Sequence, residues 1–245
     1  MAESHRGGRR TDVVHERTRP GGTGRLPPPG ELTPEEPAGG LLPDVPTRRG
    51  PARVRIDSPA GESRSLLVLG HGAGGDVDAP DLEAVTAAIV PFGVTVVRVT
   101  QPYRVAGRRA PAPATHLDEA WVDVVRSLAP TGPLVLGGRS SGARVACRTA
   151  AELGAAGVVA LAFPTHPPGR PERLRVDELP LDRPTLVVNG DRDPFGVPPV
   201  VGRMTLHVLA GADHSLKKAI GPAAAHVLDW LRANDWAAAA NGGAT

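Results

Sequence analysis

Short runs of apolar residues, most of them rich in Val and Leu, recur between residues 53 and 233 and alternate with stretches of helical period. This alternation leaves few architectures open. The runs at 65–69, 94–99, 134–136, 158–162 and 185–188, followed by one at 205–209, are too short for stable helices, and the apolar density of the first five is the pattern of strands buried on both faces. Helices are expected between them, over 80–90, 116–128, 143–153 and 219–233. In the second of these, Leu117, Trp121, Val124, Val125 and Leu128 share one helical face. Asp78 is an N-cap candidate just before Pro80. Residues 53–57 alternate in polarity and read as a half-exposed edge strand. Parallel strands joined through helices need right-handed crossovers and helices on both faces. The expected product is one three-layer α/β domain with a mostly parallel central sheet, over residues 51–236.

Composition changes outside that region. Residues 1–50 contain no Phe, Tyr or Trp and are rich in Gly, Pro, Arg and Glu. Such a segment buries too little apolar surface to offset about 1–2 kcal/mol of backbone entropy per residue, so it reads as a disordered tail, and 237–245 as a short flexible one. Arg9-Arg10 is not followed by the apolar run of an export signal. No stretch approaches the roughly 18 apolar residues of a membrane span. A single cysteine, Cys147, makes no internal disulfide. A formal charge of +2 gives no argument for nucleic acid. A cytoplasmic protein without membrane or nucleic-acid partners, monomeric or weakly dimeric, is the expectation.

In parallel α/β sheets, sites form at the carboxyl ends of strands, and four of those loops are unusual here. Gly138-Arg139-Ser140-Ser141-Gly142 is a G-x-S-x-G pattern between a strand and a helix. The flanking glycines allow a sharp, strained turn that leaves the serine hydroxyl exposed. A serine is a poor nucleophile without a base, and the base needs a carboxylate to orient it. Asp191 and Asp193 both follow the 185–188 strand, and His214 follows the last one. Nucleophile, acid and histidine thus come in the chain order Ser140, Asp191 or Asp193, His214. Gly70-His71-Gly72-Ala73-Gly74-Gly75 follows the 65–69 strand. Its freed amides suit an oxyanion, with the Ala73 N–H as first donor and the Ser141 N–H as second.

The same glycine string also fits the G-x-G-x-x-G dinucleotide fingerprint. That reading wants an acid at the end of the next strand, where Arg98-Val99-Thr100-Gln101-Pro102 has none, although Arg98 would suit a 2′-phosphate. It also leaves Ser140, Asp193 and His214 without a role. No phosphate-loop lysine, H-E-x-x-H or paired-Cys spacing occurs, so no cofactor and no metal are expected. Cys147 reads as a small buried filler.

With these residues in view, the chain resembles the α/β-hydrolase superfamily. Within it the chain is similar to the compact branch of the testis-expressed protein 30 and NSL-complex subunit 3 hydrolase-like domains, beside dienelactone-hydrolase-like proteins. The likeness rests on His71-Gly72-Ala73-Gly74-Gly75-Asp76, Gly137 through Gly142, Gly190 through Asp193, and Ala212-Asp213-His214-Ser215. It implies Ser140 as nucleophile, His214 as base and Asp193 as the acid, on a minimal fold. Of the two leading antiparallel strands of the full fold, only the one near residue 54 is legible. The superfamily's lid is usually inserted after the strand that follows the nucleophile helix. Here about twenty residues separate 163 from 185, and Pro164, Pro167, Pro168 and Pro171 forbid a helix in the first part. No lid is expected, and the open pocket should be bordered by Tyr103, Phe163, His166 and Phe195. The implied activity is hydrolysis of a small ester or thioester through an acyl-enzyme. The competing class is a catalytically silent interaction module on the same scaffold.

Overall fold

The computed structural model describes residues 44–239. Seven strands form one sheet: β1 (Arg53–Asp57), β2 (Ser65–Gly70), β3 (Val94–Thr100), β4 (Leu134–Arg139), β5 (Gly157–Leu161), β6 (Thr185–Gly190) and β7 (Met204–Leu209). Their spatial order is β1-β3-β2-β4-β5-β6-β7, and only the β1–β3 pair is antiparallel. The helices are α1 (Pro80–Ile89), α2 (Pro102–Val105), α3 (Ala114–Ser127), α4 (Ser141–Thr149) and α5 (Ile220–Ala233).

Strand residues alternate between two separate apolar cores. Leu67, Leu69, Val135, Val159, Leu161, Leu186 and Val188 face α1 and α5. Val68, Leu134, Leu136, Val158, Ala160 and Val187, from the same strands, face α3 and α4. A continuous apolar run on a strand is thus two single-sided patterns superposed, as a sheet covered on both faces requires. The three layers are α3/α4, sheet and α1/α5.

Local expectations shift by a residue or two, and for identifiable reasons. The N-cap of α1 is Ala79, without a side-chain cap bond. Asp78 instead pairs with Arg55 at 3.1 Å. The nucleophile-side helix starts at Ser141 rather than 143, and it ends at Thr149. The stretch between β5 and β6 holds only a single turn of 3₁₀ helix, Val176–Glu178, and residues 168–174 are exposed throughout. The domain has no lid.

The expected tail boundary at residue 50 falls too late. Val45 and Ala52 exchange backbone hydrogen bonds of 2.7 and 2.9 Å. Arg48 grips Asp123 of α3, donating from its backbone N–H at 2.9 Å and from Nη2 at 2.7 Å, and Arg49 pairs with Glu119. At the other end Ala237 is buried and the Ala238 N–H donates to Phe92 at 2.7 Å, so the packed chain continues past 236 although α5 ends at Ala233. The remainder of both expected tails, 1–43 and 240–245, lies outside the described residues. Deleting residues 1–50 should therefore lower the melting temperature by about 2–4 °C relative to deleting 1–43, because only the longer deletion removes these ties. Equal melting temperatures would show that they contribute nothing.

Candidate active site

Two backbone close approaches bring the G-x-S-x-G turn against the glycine-rich loop. A Cβ at Gly142 would lie 2.2 Å from the Gly70 carbonyl oxygen, and one at Gly138 would lie 2.5 Å from it. Only glycine lets the start of α4 sit on the end of β2. Between them Ser140 adopts φ 52° and ψ −108°, an unfavourable region for a residue with a side chain. The turn is held by the Ser140 N–H donating to Leu161 at 2.9 Å.

Ser140, His214 and Asp193 meet although they come from loops after β4, β7 and β6. The Ser140 hydroxyl lies 2.9 Å from His214 Nε2. His214 Nδ1 lies 2.8 Å from Asp193 Oδ2. The Asp193 side chain is fully enclosed, and its other oxygen accepts the Phe195 N–H at 2.8 Å. With the carboxylate on Nδ1, that nitrogen carries the proton and Nε2 is left as an acceptor facing the hydroxyl. Of the two acids left open by the residues, Asp191 is exposed and accepts the Gly211 N–H at 2.7 Å, which is a turn-forming role.

Of the two amides expected to serve an oxyanion, one belongs to Ser141, next to Ser140 in the chain, and the other to Ala73, whose neighbour Gly72 lies beside Ser140. Ser141 opens α4, so its N–H has no partner inside the helix, and the positive end of the helix dipole adds to it. A Cβ at Gly72, next to Ala73, would be 3.6 Å from Ser140 Cβ. The loop closes on itself through the Gly75 N–H to Gly72 at 3.0 Å. His71 anchors it from below. The buried imidazole bonds the Gly72 carbonyl through Nδ1 at 2.8 Å and accepts the Gln101 N–H on Nε2 at 3.1 Å. Since the Gln101 backbone N–H can only donate, His71 is neutral with its proton on Nδ1.

Burial lowers the pKa of His71. Below about pH 6.5 the unfolded chain protonates this residue while the folded one does not. The unfolded state then binds more protons, so stability is complete above that pH and declines as pH falls toward the folded value. The melting temperature of the parent should drop more steeply from pH 7 to 5 than that of His71→Gln. Parallel curves would remove His71 from the account.

Of the four residues expected to border the pocket, Phe195 packs on His214 and His166 packs on Phe195. Phe195 stands edge-on to His214 with ring centroids 4.5 Å apart, and the His166 ring lies 6.3 Å from Phe195. Phe163 turns away from the site, and Tyr103 lines a small cavity with Ser141 and Gly142. Phe163 is fully buried in the α3/α4 core. Tyr103 is buried beside His71, and burial raises its phenol pKa, with the Gly74 N–H opposing. A place just after a strand does not decide which way a side chain turns.

Three site residues escaped the sequence reading. Arg139, the variable position of the G-x-S-x-G string, donates to the His214 carbonyl at 3.0 Å and places Nε 3.0 Å from Asp81 Oδ2. It ties the serine turn, the histidine loop and α1 together. Burial raises the Asp81 pKa and Arg139 draws it back down. Asn189, fully buried, accepts the Phe163 N–H and donates to the Phe163 and Gly196 carbonyls, at 2.9, 2.9 and 3.0 Å, which fixes the Asp193 loop against β5. His71, read only as part of a glycine string, is the third. The signal for all three was a polar residue at a strand's carboxyl end.

Arg98, weighed for a nucleotide phosphate, is buried and committed to Asp57 and the Val77 carbonyl, both at 3.0 Å. Burial pushes the Cys147 thiol up to about 12, consistent with an inert filler. Among the described residues no group of three or more His, Cys, Asp or Glu is placed to hold a metal, and no helix is long and apolar enough to cross a membrane.

Comparison with known proteins adds to this geometry. A family model described as an alpha/beta hydrolase domain matches residues 63–236. No curated protein matches the chain. Among solved structures, a Xanthomonas campestris protein described as an α/β serine hydrolase without lid superposes with a TM-score of 0.69 at 22% identity, covering 85% of this chain and 100% of that one. A dienelactone hydrolase from Anabaena variabilis gives 0.64 at 17% identity, covering 80% and 98%. An esterase from Pyrobaculum calidifontis gives 0.59 at 19%, covering 80% and 86%. At these identities the likeness is one of fold.

Proposed function

We propose, from the premise that this chain belongs to the alpha/beta hydrolase domain family, that it is a serine hydrolase of small esters or thioesters. The observation that carries the reading is the unbroken run of contacts from Ser140 through His214 to the enclosed Asp193, at 2.9 and 2.8 Å.

In this reading Ser140 Oγ attacks the acyl carbon as its proton passes to His214 Nε2. Asp193 holds the imidazole in the accepting tautomer and steadies the imidazolium that forms. The Ala73 and Ser141 N–H groups meet the developing oxyanion, each such donor being worth about 3–4 kcal/mol of barrier. The tetrahedral species collapses, the acyl carbon–oxygen or carbon–sulfur bond breaks, and His214 returns its proton to the leaving alcohol or thiol. Water then attacks the acyl-serine, giving its proton to the same nitrogen, and the carboxylic acid departs with Ser140 restored. With no lid and a short wall of Phe195 and His166, burial worth about 0.8 kcal/mol per methylene is available only to the first carbons of an acyl chain. Short, soluble acyl groups are the substrates this arrangement favours.

Labelling by a fluorophosphonate probe tests the reading. The parent should be modified on Ser140, with Ser140→Ala unlabelled and hydrolysis of 4-nitrophenyl butyrate lost in step. A folded parent that neither labels nor turns over the ester would make the chain an interaction module on a hydrolase scaffold.

A further inference from the structure

The two edges of the sheet are defended unequally. β1, at one edge, carries Arg53, Arg55 and Asp57, each held in an ion pair, and the bonded Val45–Ala52 pair folds the preceding chain back next to it. Charges of this kind keep an edge strand from joining a foreign one. β7, at the other edge, is Met204-Thr205-Leu206-His207-Val208-Leu209, with no Pro, Lys, Arg, Asp or Glu. The layer beside it is thin as well. The β5–β6 and β6–β7 connections hold no α-helix. Every large apolar side chain that stands exposed among the described residues, Leu174, Leu181, Val197, Val200 and Val208, lies between 174 and 208.

Hydrogen bonding identifies the backbone groups of β7 that are free. The Thr185 N–H donates to the Arg203 carbonyl at 3.3 Å, and the Asp191 N–H to the Leu209 carbonyl at 3.1 Å. Backbone groups alternate sides along a strand, so the odd-numbered residues of β7 face β6 and the even-numbered ones face outward. Of the latter, Met204 spends its N–H on the Val201 carbonyl at 3.1 Å. The N–H and C=O groups of Leu206 and Val208 have no partner among the described residues. Side chains alternate too. Leu206 rests on the α3/α4 core, and Val208, two residues on, stands 46% exposed on the same face. His207 points to the other face, stacked on His226 of α5 with ring centroids 3.7 Å apart.

We propose that β7 pairs antiparallel with the β7 of a second copy of this chain, across a twofold axis at His207. The strand itself selects both occupant and register. An uncharged edge with free donors and acceptors takes up an extended strand of the same character, and a twofold pair of identical strands supplies one and closes on itself. An axis at His207 sets Leu206 opposite Val208 on both sides of it. Each such pair exchanges two hydrogen bonds, which together use every free group of Leu206 and Val208 in both strands. The neighbouring register, centred on Leu206, sets Val208 against Met204, whose N–H is already spent. With the axis at His207, Val208 covers Leu206 of the copy, and the two His207 residues meet at a non-hydrogen-bonded position with Cα atoms about 4.5 Å apart. One sheet then runs through both molecules, and the antiparallel arrangement turns their Ser140–His214 sites to opposite ends of it.

Sedimentation of the full chain at rising concentration tests the pairing. The parent should reach twice the monomer mass by about 100 µM. Val208→Lys should raise the dissociation constant at least about 10-fold, because it sets a charge against Leu206 at both ends of the seam. Val208→Thr keeps the branched shape and should stay close to the parent. The register has its own readout. His207→Cys places two thiols directly opposite each other at a spacing that a disulfide spans, so mild oxidation should give a covalent dimer. Val208→Cys, which faces Leu206, should give little. The native thiol, Cys147, is buried, and the oxidised parent measures its contribution. A parent that stays monomeric, a dimer that Val208→Lys leaves intact, or better cross-linking through Val208→Cys than through His207→Cys overturns the proposal. So do larger, open-ended assemblies, since a twofold pair closes on itself. Circular dichroism of each variant, expected to match the parent, separates loss of pairing from loss of the fold, and the cross-linking comparison stands even if Val208→Lys fails to fold.

Discussion

Asparagine in place of Asp193 should lower ester turnover about 10⁴-fold, while Asp191→Asn should turn over close to the parent. The two acids stand two residues apart in one loop, yet they differ in everything that matters to the reaction. Asp193 is enclosed, with one oxygen on His214 Nδ1 at 2.8 Å and the other on the Phe195 N–H. An asparagine there keeps the shape but can offer His214 an amide N–H, which requires a bare Nδ1 and drives the imidazole proton onto Nε2. A protonated Nε2 facing Ser140 at 2.9 Å cannot take the serine proton. Asp191 only accepts the Gly211 N–H at the surface, a bond that asparagine's carbonyl reproduces. Ser140→Ala and His214→Ala should each be at least as damaging as Asp193→Asn, with unchanged circular dichroism. Greater damage from Asp191→Asn would reverse the assignment of the acid without touching the reaction class.

Gly142→Ala should cost about 3 kcal/mol or more of stability, and we expect little folded protein at 37 °C. The added methyl would sit 2.2 Å from the Gly70 carbonyl oxygen, 2.4 Å from its carbon and 2.9 Å from the His71 oxygen. All three atoms are backbone, so no side chain can swing aside. Relief requires α4 to withdraw from β2, which would also take Ser141 away from the glycine-rich loop. Gly221→Ala supplies the contrast, since nothing lies within 4 Å of its Cβ position in the first turn of α5. Alanine there should be neutral or stabilising by up to about 1 kcal/mol. Similar melting temperatures for the two variants would refute the backbone-contact account.

All seven strands were legible, β2 to β6 because a sheet covered on both faces forces Val and Leu into short runs, and the edge strands β1 and β7 from their partly polar patterns. Their ends were not. β4 continues through Gly137 and Gly138 to Arg139, although glycines read as a turn. At Gly137 a Cβ would meet the Val159 carbonyl at 2.9 Å, so the strand keeps glycine for lack of room. The four-residue α2 passed unnoticed because it offers no helical period to detect. The grouping of Ser140 and His214 with an acid was readable from chain order, but the choice between Asp191 and Asp193 depends on which carboxylate the loop turns inward. Phe163 was misplaced for the same reason, since sequence position near a site carries no information about direction. Residues 44–50 share the composition of the segment before them. What distinguishes them is Asp123, 75 residues away from Arg48, a partner that local composition does not reveal.

The exposed run at 168–174 divides the machinery as well as the chain. Ala73, Ser140 and Ser141 lie before it, and Asp193 and His214 lie after it. A protein severed there becomes two fragments, one carrying Ser140 with the Ala73 and Ser141 amides, the other His214 and Asp193. Neither fragment is competent alone, and the halves regain the site only by rebuilding the β5–β6 seam, where Val158 pairs with Thr185 and Leu161 with Val188. Under the proposed hydrolase reading, turnover would then count reunited molecules, making the fold a two-piece reporter of whatever partners are fused to the cut ends.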